Sequence, residues 1–243
     1  MLVCEQNNHN KATQGKLKNQ MKDSIPGGKG FSSSQSRRTK KGRDSNKSID
    51  KNVSQAKKHQ LALQLSSQGE YTKAKALYRE ILSTGTASPT IYIELSKILD
   101  QEERQNESIS LLQLAANLHP YSAEIHSHLG NAMICKGQPE QAITAYKAAL
   151  EINPQDFKYH NNLGAAYQLN KDLDSAMDSF KQAIRINPKY AESFNNLGAI
   201  LMQQNNYEEA LSCLEKANEL RANYPDAILN LGILKKKTGA PKE

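Results

Sequence analysis

The chain has 243 residues, enough for one or two domains, and only 37% of them are hydrophobic. A mean hydropathy of -0.71 and a formal net charge of +7 indicate that part of the chain does not join a folded core. No apolar run approaches the roughly 20 residues that span a bilayer, and the N-terminus lacks the apolar segment of a signal peptide. These features argue against a transmembrane protein and against secretion.

The three cysteines, Cys4, Cys135 and Cys213, stand far apart in the sequence. They form neither a C-x-x-C metal pair nor the dense pattern of a disulfide-stabilised domain. We therefore expect a cytoplasmic protein, and no residue pattern in the chain predicts a metal ion or another cofactor.

Residues 1–54 carry the basic charge, with twelve lysines and arginines against four acidic residues. This segment is rich in Ser, Gln, Asn, Lys and Gly and poor in large apolar residues, which predicts a disordered tail. Its basic cluster at residues 37–43 allows contact with nucleic acid or with an anionic membrane surface. The other interpretation is a solvated linker, which the lack of interleaved aromatic residues favours.

The rest of the chain is repetitive. The sequence Asn-Asn-Leu-Gly at residues 161–164 returns at residues 195–198, an offset of 34 residues. Leu-Gly at 129–130 and Asn-Leu-Gly at 230–232 keep the same spacing. A fixed period between 20 and 50 residues indicates a stack of small structural units. Cutting the chain at this period gives blocks 55–88, 89–122, 123–156, 157–190 and 191–224, then a half-block at 225–237 and a flexible end at 238–243.

Equivalent positions in the blocks share a physical property. Small residues fill the eighth position (Ala62, Ser96, Gly130, Gly164, Gly198, Gly232) and the twentieth (Ala74, Ser108, Ala142, Ala176, Ala210). The twenty-fourth position is bulky: Tyr78, Leu112, Tyr146, Phe180, Leu214. Small residues are what two helices need where their backbones come closest, so each block is predicted to be a pair of packed helices.

Turn and cap residues place the helix ends. Gly69, Gly137 and Asn205 suit left-handed turns between the two helices of a block, Pro139 suits the first turn of a helix and Asp172 an N-cap. The predicted helices span 55–68, 71–83, 89–101, 105–118, 123–136, 139–152, 157–170, 173–186, 191–204, 207–220 and 225–237.

This pattern resembles the tetratricopeptide repeat family over residues 55–224, in five full repeats followed by one further helix that is a cap or a half repeat. The block at 89–122 departs most, with Glu103 in the turn and Ser108 at the twentieth position, where the other blocks have alanine. The resemblance implies an all-α fold, a right-handed α-solenoid of helix-turn-helix repeats. It also implies a concave groove lined by the first helix of each repeat, and no catalytic machinery.

In this family the sixth position of each repeat faces the groove, and here it reads His128, Asn162, Asn196 and Asn230 in successive blocks. An asparagine amide offers a donor and an acceptor, so it can pair with a peptide backbone unit without reading the side chain. The row of asparagines is similar to the repeat region of O-linked N-acetylglucosamine transferases. Asparagine is a mediocre helix former, about 0.6 kcal/mol worse than alanine, so the row is mildly disfavoured without a function.

The neighbouring Asn161 and Asn195, and Asn131 at the ninth position, complete the candidate groove residues. Asn131 and Asn162 also match asparagines of the carboxylate clamp found in chaperone adaptors of this family. Ser127, Glu192 and Asn196 stand where that clamp carries cations, so a C-terminal carboxylate would lack its charge partners. His126, His128 and His160 have no partners at metal-ligand spacing, and packing is the expected role of His160.

The sequence thus predicts a non-enzymatic scaffold that binds an extended protein segment in the groove. One alternative is the substrate-recruiting N-terminal part of a larger glycosyltransferase or other transferase. Another is a nucleic-acid adaptor that acts through the basic tail. The partner itself is not specified by any residue pattern.

Overall fold

The structure is a computed structural model that describes residues 41–85 and 87–239. These residues form helices and turns and include no strand, which confirms the predicted all-α fold. The described helices, in chain order, are α1 (Lys41–Ser67), α2 (Tyr71–Ser83), α3 (Pro89–Gln101), α4 (Gln105–Leu118), α5 (Ala123–Cys135), α6 (Pro139–Ile152), α7 (Phe157–Leu169), α8 (Leu173–Ile186), α9 (Ala191–Gln203), α10 (Tyr207–Leu220) and α11 (Pro225–Thr238).

From α2 onward the helices begin at the predicted residues and end within one residue of the predicted ends. The exception is α1, which begins at Lys41 rather than at the predicted residue 55. Between Arg43 and Ser67 the sequence contains neither proline nor glycine, so nothing stops the helix from extending toward the N-terminus. The remainder of the predicted tail, residues 1–40, lies outside the described residues.

The helices fall into two compact units, one ending at Glu103 and the other beginning at Arg104. The boundary lies in the turn of block 89–122, the block whose sequence departs most from the others. In the first unit α1 packs on α2 and α2 on α3, with Ala74, Tyr78 and Ile81 buried. The second unit contains α4–α11 and carries the candidate site.

The core of the second unit is built from the twentieth and twenty-fourth positions that the sequence identified, together with the twenty-seventh position, which is alanine in these blocks. The side chains of α4, α6, α8 and α10 at the twentieth, twenty-fourth and twenty-seventh positions are all fully buried: Ser108, Leu112, Ala115, Ala142, Tyr146, Ala149, Ala176, Phe180, Ala183, Ala210, Leu214 and Ala217. Bulky side chains therefore alternate with small ones along each second helix, and the prediction of packed helix pairs is confirmed.

Glycine on the first helix makes room for the bulky residue of the second. A Cβ atom added at Gly130 would lie 2.6 Å from the Tyr146 ring, and one at Gly164 would lie 2.7 Å from the Phe180 ring. Real Cβ atoms do not approach carbon so closely, so any larger residue would push the pair apart. These glycines set the short distance between the two helices of each pair.

The turns between paired helices share one backbone conformation. Gly137, Lys171 and Asn205 all have a φ between 61° and 73°, in the left-handed region. In each turn the amide three residues beyond the helix bonds back into its last turn, as Asp172 N does to Tyr167 O at 3.0 Å. Gly137 and Asn205 were predicted for this role, whereas Lys171 was not recognised because lysine rarely adopts this conformation.

The predicted caps are present. Pro139 occupies the first turn of α6, and the Asp172 carboxylate accepts a hydrogen bond from Ser175 N at 3.1 Å to cap α8. Hydrogen bonding from Ser175 holds the pKa of Asp172 below its usual range. Asp156 caps α7 in the same manner through Lys158 N at 2.8 Å, so each of these helices starts at a defined residue.

Candidate functional site

Asparagine side chains connect the first helices of successive pairs in the second unit. Asn196 Nδ2 on α9 donates to Asn161 Oδ1 on α7 at 3.2 Å. Asn230 Nδ2 on α11 donates to Asn195 Oδ1 on α9 at 2.9 Å. Each bond joins the sixth position of one block to the fifth position of the block before it, an offset of 35 residues. The asparagines thus form a ladder of hydrogen bonds between repeats.

Further polar contacts enclose the centre of this ladder. Ser193 Oγ donates to Asn161 Oδ1 at 2.9 Å, and Asn195 Nδ2 donates to Asn196 Oδ1 at 3.5 Å. Asn161, Asn195 and Asn196 are only 6%, 3% and 9% exposed. Buried amides must be hydrogen-bonded to offset their desolvation, and here they satisfy one another. The main role of these three side chains is therefore to hold α7, α9 and α11 together.

The ladder begins differently on α5. Tyr146 donates its hydroxyl proton to Asn131 Oδ1 at 2.6 Å, and Asn162 Nδ2 donates to the same oxygen at 3.4 Å. Burial raises the pKa of Tyr146, so the phenol stays protonated and remains a donor. Asn162 bonds to the ninth position of the preceding block, where the fifth position is Ser127 rather than asparagine. The bulky core residue of one pair thereby orients the first amide of the ladder.

The remaining candidate residues are partly exposed. His128, Asn131, Asn162 and Asn230 are half-buried on α5, α7 and α11. Asn162 and Asn230 each use Nδ2 in the ladder, and neither Oδ1 accepts a hydrogen bond from the described residues. Each of these two amides is held by its donor while its carbonyl oxygen stays available.

Two small side chains lie in the same row. Ala165 on α7 and Ala199 on α9 occupy the ninth position, which Asn131 occupies on α5, and both are half-buried. We call the partly exposed row on α5, α7, α9 and α11 the asparagine surface: Asn131, Asn162, Ala165, Ala199 and Asn230. All five side chains are neutral, so this surface offers amide groups and small apolar patches rather than charge.

Sequence reasoning missed the pairing of fifth-position asparagines with the sixth-position asparagines of the next repeat. The signal that could have revealed it is a spacing of 35 residues, one more than the repeat period. Asn161 and Asn195 are each followed by another asparagine at that spacing. A side chain at that offset lies on the next first helix, within reach of its neighbour in the stack.

His126 and His160, outside the asparagine surface, have structural partners. His126 Nε2 lies 3.0 Å from the Pro120 carbonyl oxygen, and His160 Nε2 lies 3.0 Å from that of Pro154. A carbonyl only accepts, so each imidazole donates and braces the turn that precedes its helix. No group of three or more metal-ligating side chains occurs among the described residues.

Cys213 is a free thiol on α10 and is half-buried. Burial, together with the negative charge of Glu209, raises the pKa of this thiol. The neutral form is therefore favoured, which does not suit a nucleophile. Within the described part of the chain, no helix has the length and apolar character needed to cross a membrane.

Comparison with known families and structures agrees with this architecture. Three models described as TPR repeat or tetratricopeptide repeat match residues 135–171 and 198–239, 157–190, and 179–212. Comparison with curated proteins finds no significant match.

Solved structures share the fold at low sequence identity. YrrB, a TPR protein with an unusual peptide-binding site, is 23% identical, with a TM-score of 0.61 over 77% of this chain and 97% of its own. TTC0263, a TPR protein from Thermus thermophilus, is 22% identical, with a TM-score of 0.60 over 74% of this chain and 98% of its own. MamA from Desulfovibrio magneticus is 15% identical, with a TM-score of 0.62 over 70% of this chain and 97% of its own.

Family models, helix positions and buried columns agree over the same part of the chain. The first-helix glycines, the left-handed turns and the small residues recur with the 34-residue period throughout residues 135–239, the part of the chain that the tetratricopeptide repeat models match.

Proposed function

We propose that the second unit is a protein-interaction module that holds an extended protein segment along the asparagine surface. The tetratricopeptide fold is a protein-interaction scaffold, and YrrB, which shares this fold, has a peptide-binding site. The single observation that carries the proposal is the pair of fixed amides at Asn162 and Asn230, each bonded through Nδ2 while its Oδ1 accepts no hydrogen bond from the described residues.

Fixed amides suit backbone recognition. A peptide unit in an extended segment presents an N–H that Asn162 Oδ1 or Asn230 Oδ1 can accept. Because the ladder already immobilises both side chains, binding loses little further side-chain entropy, which is about 0.5–1.5 kcal/mol for a mobile polar side chain. The neutral surface favours backbone contacts over a charged terminus, and the half-buried Ala165 and Ala199 leave space for partner side chains.

Alanine substitution of the whole row is a poor test, since Asn196 is buried and bonded to Asn161. A cleaner variant adds bulk without removing a hydrogen bond. The double variant Ala165→Leu, Ala199→Leu fills the surface at two half-buried positions. The matched control is Ala148→Leu, which adds the same side chain at a half-buried position of the second helix α6.

The probe is a random linear peptide library displayed on phage and selected on the immobilised full chain. Selected peptides are then synthesised, and their affinities are measured by fluorescence anisotropy. We expect at least ten-fold weaker binding to the double variant and unchanged binding to Ala148→Leu, with identical circular dichroism spectra. Equal affinity for all three proteins, or no enrichment of any linear peptide, would exclude the asparagine surface as the binding site.

A further inference from the structure

The outward side of α11 exposes an apolar surface. Ile228, Leu229 and Ile233 are 48%, 63% and 40% exposed, and Gly232 lies among them. The opposite side of the helix is packed, with Ala227 and Leu234 buried against α9 and α10. We call the exposed set the α11 surface: Ile228, Leu229, Gly232, Ile233 and Lys236, which helical spacing places on one side.

The preceding repeats show what occupies the equivalent surface. On α5, α7 and α9 the glycine at this position touches one bulky side chain from the following helix: Tyr146, Phe180 and Leu214, respectively. In each case the bulky residue stands four positions after a fully buried alanine. Around Gly232 the same test finds open space, with no described atom within 4 Å of an added Cβ.

Charge distinguishes α11 from the other first helices. Its last turn carries Lys235, Lys236 and Lys237, whereas the last turns of α5, α7 and α9 carry no basic residue. A helix that packs here as α10 packs on α9 runs antiparallel to α11, so its first turn lies beside these lysines. The helices that cover the glycines of α5, α7 and α9 have acidic residues in their first turns. These are Glu140 in α6, Asp174 in α8, and Glu208 and Glu209 in α10.

We propose that the α11 surface is a docking site for an amphipathic helix of another protein, separate from the asparagine surface. The helix carries a small residue and, four positions later, an aromatic residue or leucine that sits on Gly232. Acidic residues in its first turn pair with Lys235, Lys236 and Lys237. Burial of Ile228, Leu229 and Ile233 supplies the apolar contact, as it does in the repeats within the stack.

The test uses a helical probe of this chemistry. A peptide with the sequence of residues 139–152 contains Glu140, Ala142 and Tyr146 in the required order. Because an isolated helix of this length is marginal in water, a lactam bridge joins positions 144 and 148, neither of which is buried in the chain. The peptide carries a fluorescent label, and its binding to the full chain is measured by anisotropy.

Gly232→Leu is the decisive variant of the protein. The space around Gly232 accepts the new side chain, and leucine is a better helix former than glycine, so the fold is retained. The control is Gln113→Leu, which adds the same side chain at an exposed position of α4. We expect at least ten-fold weaker peptide binding to Gly232→Leu, unchanged binding to Gln113→Leu, and at least ten-fold loss when the peptide carries Tyr146→Ala.

Binding of the helical peptide to the α11 surface does not depend on the asparagine surface. The variant Ala165→Leu, Ala199→Leu is expected to bind the helical peptide as tightly as the unaltered chain, so one proposal can fail without the other. Absence of peptide binding, or equal binding to Gly232→Leu, would overturn the docking site. Sedimentation velocity supplies a further check: self-association that Gly232→Leu abolishes would assign the surface to a second copy of this chain and overturn the assignment to another protein.

Discussion

Helices α9 and α11 carry the same Asn-Leu-Gly sequence 34 residues apart, at 196–198 and 230–232. The asparagine and the glycine nevertheless have different surroundings on the two helices. On α9 the asparagine is buried, and the glycine is covered by Leu214 from the next helix. On α11 the asparagine is half-buried, and no described atom lies within 4 Å of a Cβ added at the glycine. What differs is the helix that follows in the stack, because α10 covers α9 and no described helix covers α11 in that manner.

The comparison shows that a repeat motif specifies a geometry whose consequence depends on the neighbouring helix. Inside the stack, glycine permits close packing and asparagine satisfies another asparagine. On α11 no described residue donates a hydrogen bond to Asn230 Oδ1, and no described side chain covers Gly232. Stability is therefore expected to be sensitive to substitution within the stack and tolerant of it on α11.

The largest difference in unfolding free energy is expected between a variant inside the ladder, at Asn161, and one at its α11 end, at Asn230. Asn161→Ala removes the acceptor of both Ser193 Oγ and Asn196 Nδ2, which are buried, and should cost about 2–3 kcal/mol of unfolding free energy. Asn230→Ala removes one bond from a half-buried residue and should cost about 0.5–1.5 kcal/mol. Urea unfolding of both variants measures the two values, and an Asn230→Ala loss equal to or above that of Asn161→Ala would contradict the ladder.

A smaller change in stability is expected from substitution in the turns between helices. Lys171 and Gly239 occupy equivalent positions with φ of 63° and 70°, but only one of them is glycine. A non-glycine residue in this conformation is strained by about 1–2 kcal/mol, and glycine loses about 0.5–1 kcal/mol more chain entropy on folding. Lys171→Gly should therefore stabilise the second unit by about 0.5–1 kcal/mol in thermal unfolding. A lower midpoint temperature would show that the lysine side chain makes a contact that outweighs the strain.

Most of the helix positions were predictable from the sequence because they depend on local signals. Proline and small residues recur with the repeat, so the bounds of α2–α11 agree with the predicted ones to within a residue. The extension of α1 to Lys41 was missed because the polar composition of residues 1–54 was taken to mean disorder. Residues 41–54, where the helix begins, contain no proline. The turn at Lys171 was missed because its conformation is imposed by the packed helices around it rather than by the residue.

The candidate site was predictable only in part. The row of asparagines was visible, but the division between buried and exposed members was not, since it depends on bonds between neighbouring helices. Asn161 and Asn195 drew attention as possible contacts, and the structure places both in the interior of the ladder. The absence of described atoms around Gly232 is a property of three-dimensional packing, and the Asn-Leu-Gly sequence that it shares with residues 196–198 does not reveal it.

The most direct test of the account substitutes alanine for glycine inside the stack and on its outward helix. At Gly130 the added Cβ meets the buried Tyr146 ring at 2.6 Å, so overpacking of about 1–3 kcal/mol should exceed the helix-propensity gain. At Gly232 the added Cβ meets no described atom within 4 Å, so the helix-propensity gain of about 1 kcal/mol remains. Urea unfolding of Gly130→Ala and Gly232→Ala should give free-energy changes of opposite sign, destabilising and stabilising respectively. Two changes of the same sign would contradict the claim that the neighbouring helix decides what the motif does.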